Sequence, residues 1–174
     1  VAAPSANRSG KPSPTKAMHV MEDLQGHIAA VVDGGETGIG LESTVLDVTL
    51  EVPTILRPGG VTKEMLEKVI GQVNAPKTEE QEAGIAPKAP GMKYTHYAPN
   101  APVYLVKPDN EAIEQSIRAL IEKGEQVALI APNELQHDLA KYNFTVGPIN
   151  DLQAHSSLLY DALRSCDKTD ATVI

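Results

Sequence analysis

From residue 102 to its last residue the chain alternates short apolar strand signals with helical ones, and that spacing constrains the fold most. "PVYLV" (102–106), "QVALIAP" (126–132) and "NFTVG" (143–147) are runs of β-branched and aliphatic residues bounded by turn formers. Between the first two lies a helix over 109–123, with Ile113, Ile117, Leu120 and Ile121 on one face. "NELQHDLA" (133–140) reads as a shorter helix. A further helix over 150–165 turns Leu152, Leu158, Leu159, Ala162 and Leu163 inward, and "ATVI" opens another strand. Strands separated by helices pair in parallel, because a parallel crossover needs about a helix's length of chain. Residues 102–174 therefore predict a small parallel α/β layer of Rossmann-like type, incomplete at its end.

The first part carries the same mixture less regularly. Ser13-Pro14 predicts a helix start, with Ser13 capping the free N–H groups and Ala17, Met21 and Leu24 on one face. "HIAAVVDGG" (27–35) reads as a buried strand running into a glycine turn. "STVLDVT" (43–49) and "PTILRPGG" (53–60) read as two more strands. "TKEMLEKVIG" (62–71) is a short helix with Met65, Leu66, Val69 and Ile70 inward and Gly71 as its stop. Residues 73–101 hold Pro76, Pro87, Pro90 and Pro99 with little periodicity, and read as a linker between 1–72 and 102–174.

Composition narrows the function classes. With aromatics at 3%, the core must be built from aliphatic side chains. A formal charge of −8 argues against a broad basic face, and so against direct binding of nucleic acid. The single cysteine, Cys166, cannot form an intramolecular disulfide and suits a reducing cytoplasm. No apolar run approaches membrane-spanning length, and the first residues have no signal-peptide pattern. A start at Val fits a fragment or a processed product.

Several stretches could carry chemistry. "GGETGIGLEST" (34–44) has glycines at phosphate-loop spacing, but Leu41-Glu42 stands where Lys-Ser/Thr is required, so it reads as a flexible turn. Ser5 and Asn7 are turn formers or ligand contacts, Ser13 a cap or an anion contact, and Ser43 a strand start or a site hydroxyl. Arg57 leaves an apolar run before Pro-Gly-Gly, where its planar fork suits phosphate or carboxylate; the alternative is a surface salt bridge. No acidic residue stands between Glu82 and Asp109, and Lys88, Lys93, Tyr94, His96 and Tyr97 fall in that window. This is a lid for a polyanion, or a proline-stiffened spacer. His19, His27, His137 and His155 lack metal-ligand spacing to one another or to Cys166, and read as surface or structural residues.

"APSANRSGKPSPT", "DGG…GIGLESTVLDVT", "ILRPGG" and "APGMKYTHYAP", in this order over residues 3–99, closely resemble the YrdC-like threonylcarbamoyl-AMP synthases of the longer, two-domain Sua type. The resemblance implies an α/β fold: the rear part of a YrdC-like twisted-sheet domain over 1–72, a linker over 73–101 and the Rossmann-like C-terminal domain over 102–174. It also implies an ATP-dependent nucleotidyltransferase that joins L-threonine, bicarbonate and ATP, with Mg²⁺, into threonylcarbamoyl-AMP and pyrophosphate. A downstream transferase then passes the threonylcarbamoyl group to tRNA. Carried over by position, Ser5, Asn7, Ser13 and Arg57 contact ATP, and Ala3 and Ser43 line the threonine pocket. Lys93, Tyr94, His96 and Tyr97 belong to the linker that reaches over the cavity, and no protein ligand to a metal is identified. The family's site also uses a Lys-x-Arg motif upstream of "SAN", so these residues are expected to be a fragment, inactive alone.

Three other readings compete with the synthase: a nucleotide-binding regulatory module without turnover, an RNA-binding YrdC-like protein, and a carbamoyl-transfer domain of hydrogenase maturation. The Pro-Gly-Met-Lys-Tyr-Thr-His-Tyr run fits the synthase better than the last of these. The lid is testable by limited proteolysis at Lys88 and Lys93 in a chain of the family's full length. Saturating ATP and threonine should slow cleavage there; equal rates with and without them would make the segment a spacer.

Overall fold

The computed structural model describes residues 4–75 and 98–174. In chain order its elements are α1 (Ala17–Leu24), β1 (Val45–Asp47), β2 (Thr54–Arg57), α2 (Lys63–Ile70), α3 (Asn110–Glu122), β3 (Ala128–Ala131), a 3₁₀ turn (Asn133–Leu135), β4 (Tyr142–Thr145) and α4 (Leu152–Cys166). The class is mixed α/β with small sheets, as expected. The chain up to Gly40 and the chain from residue 97 onward form one packing unit, and residues 41–96 another. One boundary between the units thus falls inside the proline-rich 73–101, and the other, after Gly40, falls inside the expected 1–72 domain.

In the first unit β3 and β4 pair in parallel, with Ala128 opposite Tyr142 and Ala131 opposite Thr145. Val127 bridges Val173 in parallel on the other side, so "ATVI" does enter the sheet. Asp109 caps α3 by accepting from the Ala112 N–H at 2.8 Å, and Asp151 caps α4 by accepting from Ala154 at 2.9 Å. Ile113 and Ile117 of α3 close over Val127, Ala131, Leu135, Ala140 and Val173 to make the core. The expected strand 102–106 is not one. Among the described residues its backbone bonds Ile174 alone, Ile174 N–H to Pro102 O at 2.9 Å and Tyr104 N–H to Ile174 O at 2.8 Å. Leu105 is 99% exposed, since no further strand among the described residues takes up its backbone groups. "NELQHDLA" shortens to the 3₁₀ turn, and Leu152, expected inward, is 76% exposed at the first turn of α4.

The same unit holds residues 4–40 against α4. Pro12 is among the most deeply buried side chains, and its carbonyl accepts from Arg164 Nε and Nη2 at 3.1 and 2.6 Å. Arg164 also pairs with Asp23 of α1 at 2.7 Å, both side chains being almost wholly buried. α1 begins at Ala17 with Lys16, and not the expected Ser13, in the cap position. The inward face of α1 is likewise polar: His19 and Asp23 are buried, while Met21, expected inside, is exposed. The expected strand 27–35 is absent, and Val32 is 95% exposed; among the described residues no neighbour pairs with it.

In the second unit β1 and β2 form an antiparallel hairpin, with Val45 opposite Arg57, Leu46 opposite Ile55 and a bulge between them. Thr62 caps α2 and Gly71 ends it at φ +80°, a conformation glycine adopts without strain. The chain then returns beside β2, where Asn74 exchanges backbone bonds with Pro53 and Ile55 at 2.9 and 3.1 Å over buried Val73. Met65, Val69 and Ile70 were expected inward but are exposed, Val69 at 83%; no described layer of this unit covers that face.

A buried charge stripped of its partner is strongly destabilising, by about 3–5 kcal/mol. Asp23→Ala should therefore lose that much in urea unfolding. Lys168→Ala, which breaks a surface pair with Glu22, should change stability by less than about 1 kcal/mol. Equal small losses would mean that Arg164 finds other partners.

Candidate functional site

The motif over residues 5–13 is a loop before α1, and its fold follows from side-chain bonds to its own backbone. Asn7 Nδ2 donates to the carbonyls of Arg8 and Lys11 at 3.0 and 3.1 Å, and Lys11 N–H donates to Arg8 O at 3.2 Å. Asn7 Oδ1 is buried and has no hydrogen-bond partner among the described residues. Ser5 is exposed and Ser13 half-buried on the same loop.

Ser43 and Arg57 meet in the second unit. Arg57, the last residue of β2, donates through Nε and Nη2 to Ser43 O at 3.2 and 3.0 Å, and through Nη2 to Ser43 Oγ at 3.2 Å. The turn after Arg57 packs on the loop before β1: a Cβ at Gly59 would overlap the backbone of Glu42, Ser43 and Thr44. Thr44 Oγ1 donates to Val61 O at 2.5 Å and accepts from Val61 N–H at 3.1 Å, which clasps the two loops. A hydroxyl and a guanidinium are thus held as one unit at the end of the hairpin. Ala3, Lys93, Tyr94, His96 and Tyr97 lie outside the described residues, as does Lys88.

The glycine-rich stretch has a packing role. Gly40 is buried at φ +75°, and a Cβ there would stand 2.5 Å from Ser157 Cα of α4. Only glycine lets this backbone touch the helix. Beside it, Thr15, Lys16, Glu36, Gly38, Ser157 and Asp161 line a cavity of about 260 Å³. Lys16 Nζ bonds Asp161 at 2.9 Å and Glu36 at 3.3 Å. The Asp161 bond is the main reason its pKa stays above the usual lysine value. His19 Nδ1 accepts from Thr15 N–H at 3.2 Å, so Nε2 carries the proton that faces Asp161 at 3.1 Å.

Sequence reading missed this polar cluster. Its local signals were two, the i, i+4 pair His19/Asp23 on the inner side of α1 and the i, i+3 pair Asp161/Arg164 on α4, which meet in the folded unit. His19 is buried, a structural residue and not a surface one. Cys166 is also buried, and burial pushes its thiol up to about 12, so it is no nucleophile at neutral pH. Among the described residues no group of three or more His, Cys, Asp or Glu side chains could hold a metal ion. Nor is any described helix long and apolar enough to cross a membrane.

The family model described as "Threonylcarbamoyl-AMP synthase, C-terminal domain" matches residues 61–174, and a second, described as "Telomere recombination", matches 1–59. The chain belongs to the threonylcarbamoyl-AMP synthase family. It is 46% identical over 177 aligned positions to a threonylcarbamoyl-AMP synthase of Bacillus subtilis, covering all of this chain and 50% of that protein. It is 44% identical to one of Pyrococcus abyssi, covering all of this chain and 51% of the relative. The chain thus spans about half the length of these curated relatives. The crystal structure of P. abyssi Sua5 complexed with L-threonine superposes with a TM-score of 0.87 at 43% identity, over 98% of this chain and 50% of that one. The four quoted motifs thus pointed to the right family.

Burial, and next the positive charge of Arg164, hold the His19 pKa below the ordinary imidazole value. On acidification the unfolded chain takes up this proton first, at about pH 6.5. The stabilisation from neutral His19 is therefore complete above that pH and is lost as pH falls below it. Urea midpoints measured from pH 8 to 5 should drop on the acid side, and His19→Gln should flatten the slope. An unchanged slope in His19→Gln would assign the drop to other groups.

Proposed function

We propose that the protein to which these residues belong makes threonylcarbamoyl-AMP from L-threonine, bicarbonate and ATP, with release of pyrophosphate. The observation that carries this reading is the Ser43–Arg57 pair, a hydroxyl and a five-donor fork joined by three hydrogen bonds in a glycine-dependent turn. Arg57 meets the nucleotide, where charge moves as pyrophosphate leaves, and Ser43 with Ala3 lines the threonine pocket. Ser5, Asn7 and Ser13 contact ATP. Asn7 Oδ1, which has no partner among the described residues, supports this, because a buried acceptor left unmatched is costly until a ligand supplies a donor. Mg²⁺ enters with the phosphates of ATP.

In this reading the threonine amine and bicarbonate condense to a carbamate with loss of water. A carbamate oxygen attacks the α-phosphorus, the bond to the β-phosphate breaks, and pyrophosphate departs. Such a displacement asks the protein for alignment, charge neutralisation and a dry site, and requires no covalent nucleophile. Lys93, Tyr94, His96 and Tyr97 close over the product, a mixed anhydride prone to hydrolysis. A downstream transferase then carries the threonylcarbamoyl group to tRNA. The threonine-bound P. abyssi structure supports the amino-acid half of this reading.

The assay is pyrophosphate release that requires both threonine and bicarbonate. A chain of the relatives' full length should show it, and the 174 residues alone should not. In the longer chain Arg57→Ala should lower turnover at least tenfold, equivalent to about 1.4 kcal/mol. Release that ignores threonine, or an unaffected Arg57→Ala, would remove the assigned roles.

A further inference from the structure

We propose that Arg164 is a positioning residue for the loop over residues 5–13, so that α4, far along the chain, sets the affinity for ATP. This rests on the reading of Ser5 and Asn7 as ATP contacts. Arg164 falls in the stretch matched by the C-terminal family model, whereas the groups it grips fall in the stretch matched by the other. Its guanidinium is used twice. Nε and Nη2 donate to Pro12 O at 3.1 and 2.6 Å, and Nη1 and Nη2 donate to the Asp23 carboxylate at 3.3 and 2.7 Å.

Asp23 Oδ2 in turn accepts from Arg8 N–H at 3.2 Å. One buried fork thus holds the loop at Pro12 directly and at Arg8 through Asp23. Just before the first of those anchors in the chain, Asn7 closes on the carbonyls of Arg8 and Lys11. Neutralising Asp23 needs only a positive charge, which a lysine would supply. Holding a carbonyl and a carboxylate together in one plane needs the guanidinium. The geometry therefore goes beyond charge pairing and defines the shape of the loop.

The test uses a chain of the relatives' full length, titrated with ATP and Mg²⁺ without threonine, well below the unfolding midpoints. Arg164→Lys should weaken ATP binding at least tenfold and speed hydrogen exchange of the Arg8 amide. Asp161→Asn is the control: it lies one turn away on α4 and loosens Lys16 and His19 but touches no loop residue. It should leave ATP affinity within twofold. Equal losses in the two variants, or none in Arg164→Lys, would overturn the proposal. Should Arg164→Lys fail to fold, the unmodified protein decides. Coupling is reciprocal, so saturating ATP must slow exchange of the Arg164 Nε–H severalfold, and an unchanged rate overturns the proposal. An unmodified protein that binds no ATP refutes the ATP reading itself, and the positioning role falls with it.

Discussion

Taking a guanidinium and a carboxylate out of water together is costly unless their remaining donors and lone pairs are also met. Arg164 and Asp23 meet that condition through the Pro12 carbonyl and the Arg8 amide. The order of the first unit depends on it. Pro12 is held ahead of α1, which starts at Ala17, and the inner face of α1 is polar because α4 presents Asp161 and Arg164 to it. An aliphatic contact would bind these helices as well, but it would not choose the conformation of a loop.

Glycine acts in the same service at two places. Gly40 lets the chain lie on the backbone of α4, and Gly59 lets the turn after Arg57 lie on the loop that carries Ser43. In both, the missing Cβ is where another backbone passes. The glycine-rich stretch with phosphate-loop spacing is thus explained by close packing at Gly40.

The parts of the fold legible in the sequence are those set by local signals. The hairpin strands, α2 with its Thr62 and Gly71 ends, α3 and β3 lie within the runs that periodicity and turn residues marked out, and β4 and α4 each overrun theirs by one residue. The segments misread, 27–35 and 102–106, are apolar and β-branched, and read as strands for that reason. A strand, however, exists only where a neighbour accepts its backbone bonds, and local composition does not report the neighbour. The inward residues of α2 failed likewise: helical spacing names a face without saying that anything covers it.

On its own, the sequence determined the α/β class, the parallel pairing of the C-terminal strands and, through four motifs in order, the family. These depend on side-chain period, connection length and residue type, all of which are local. Only the tertiary structure decided that Ser43 is gripped by Arg57, that Asn7 leaves a buried acceptor unmatched among the described residues and that Arg164 reaches Pro12 and Asp23. The last pairing joins residues more than a hundred positions apart. Each charge alone resembles any solvated charge on a helix, and burial, which makes the pair matter, arises only when the helices have packed.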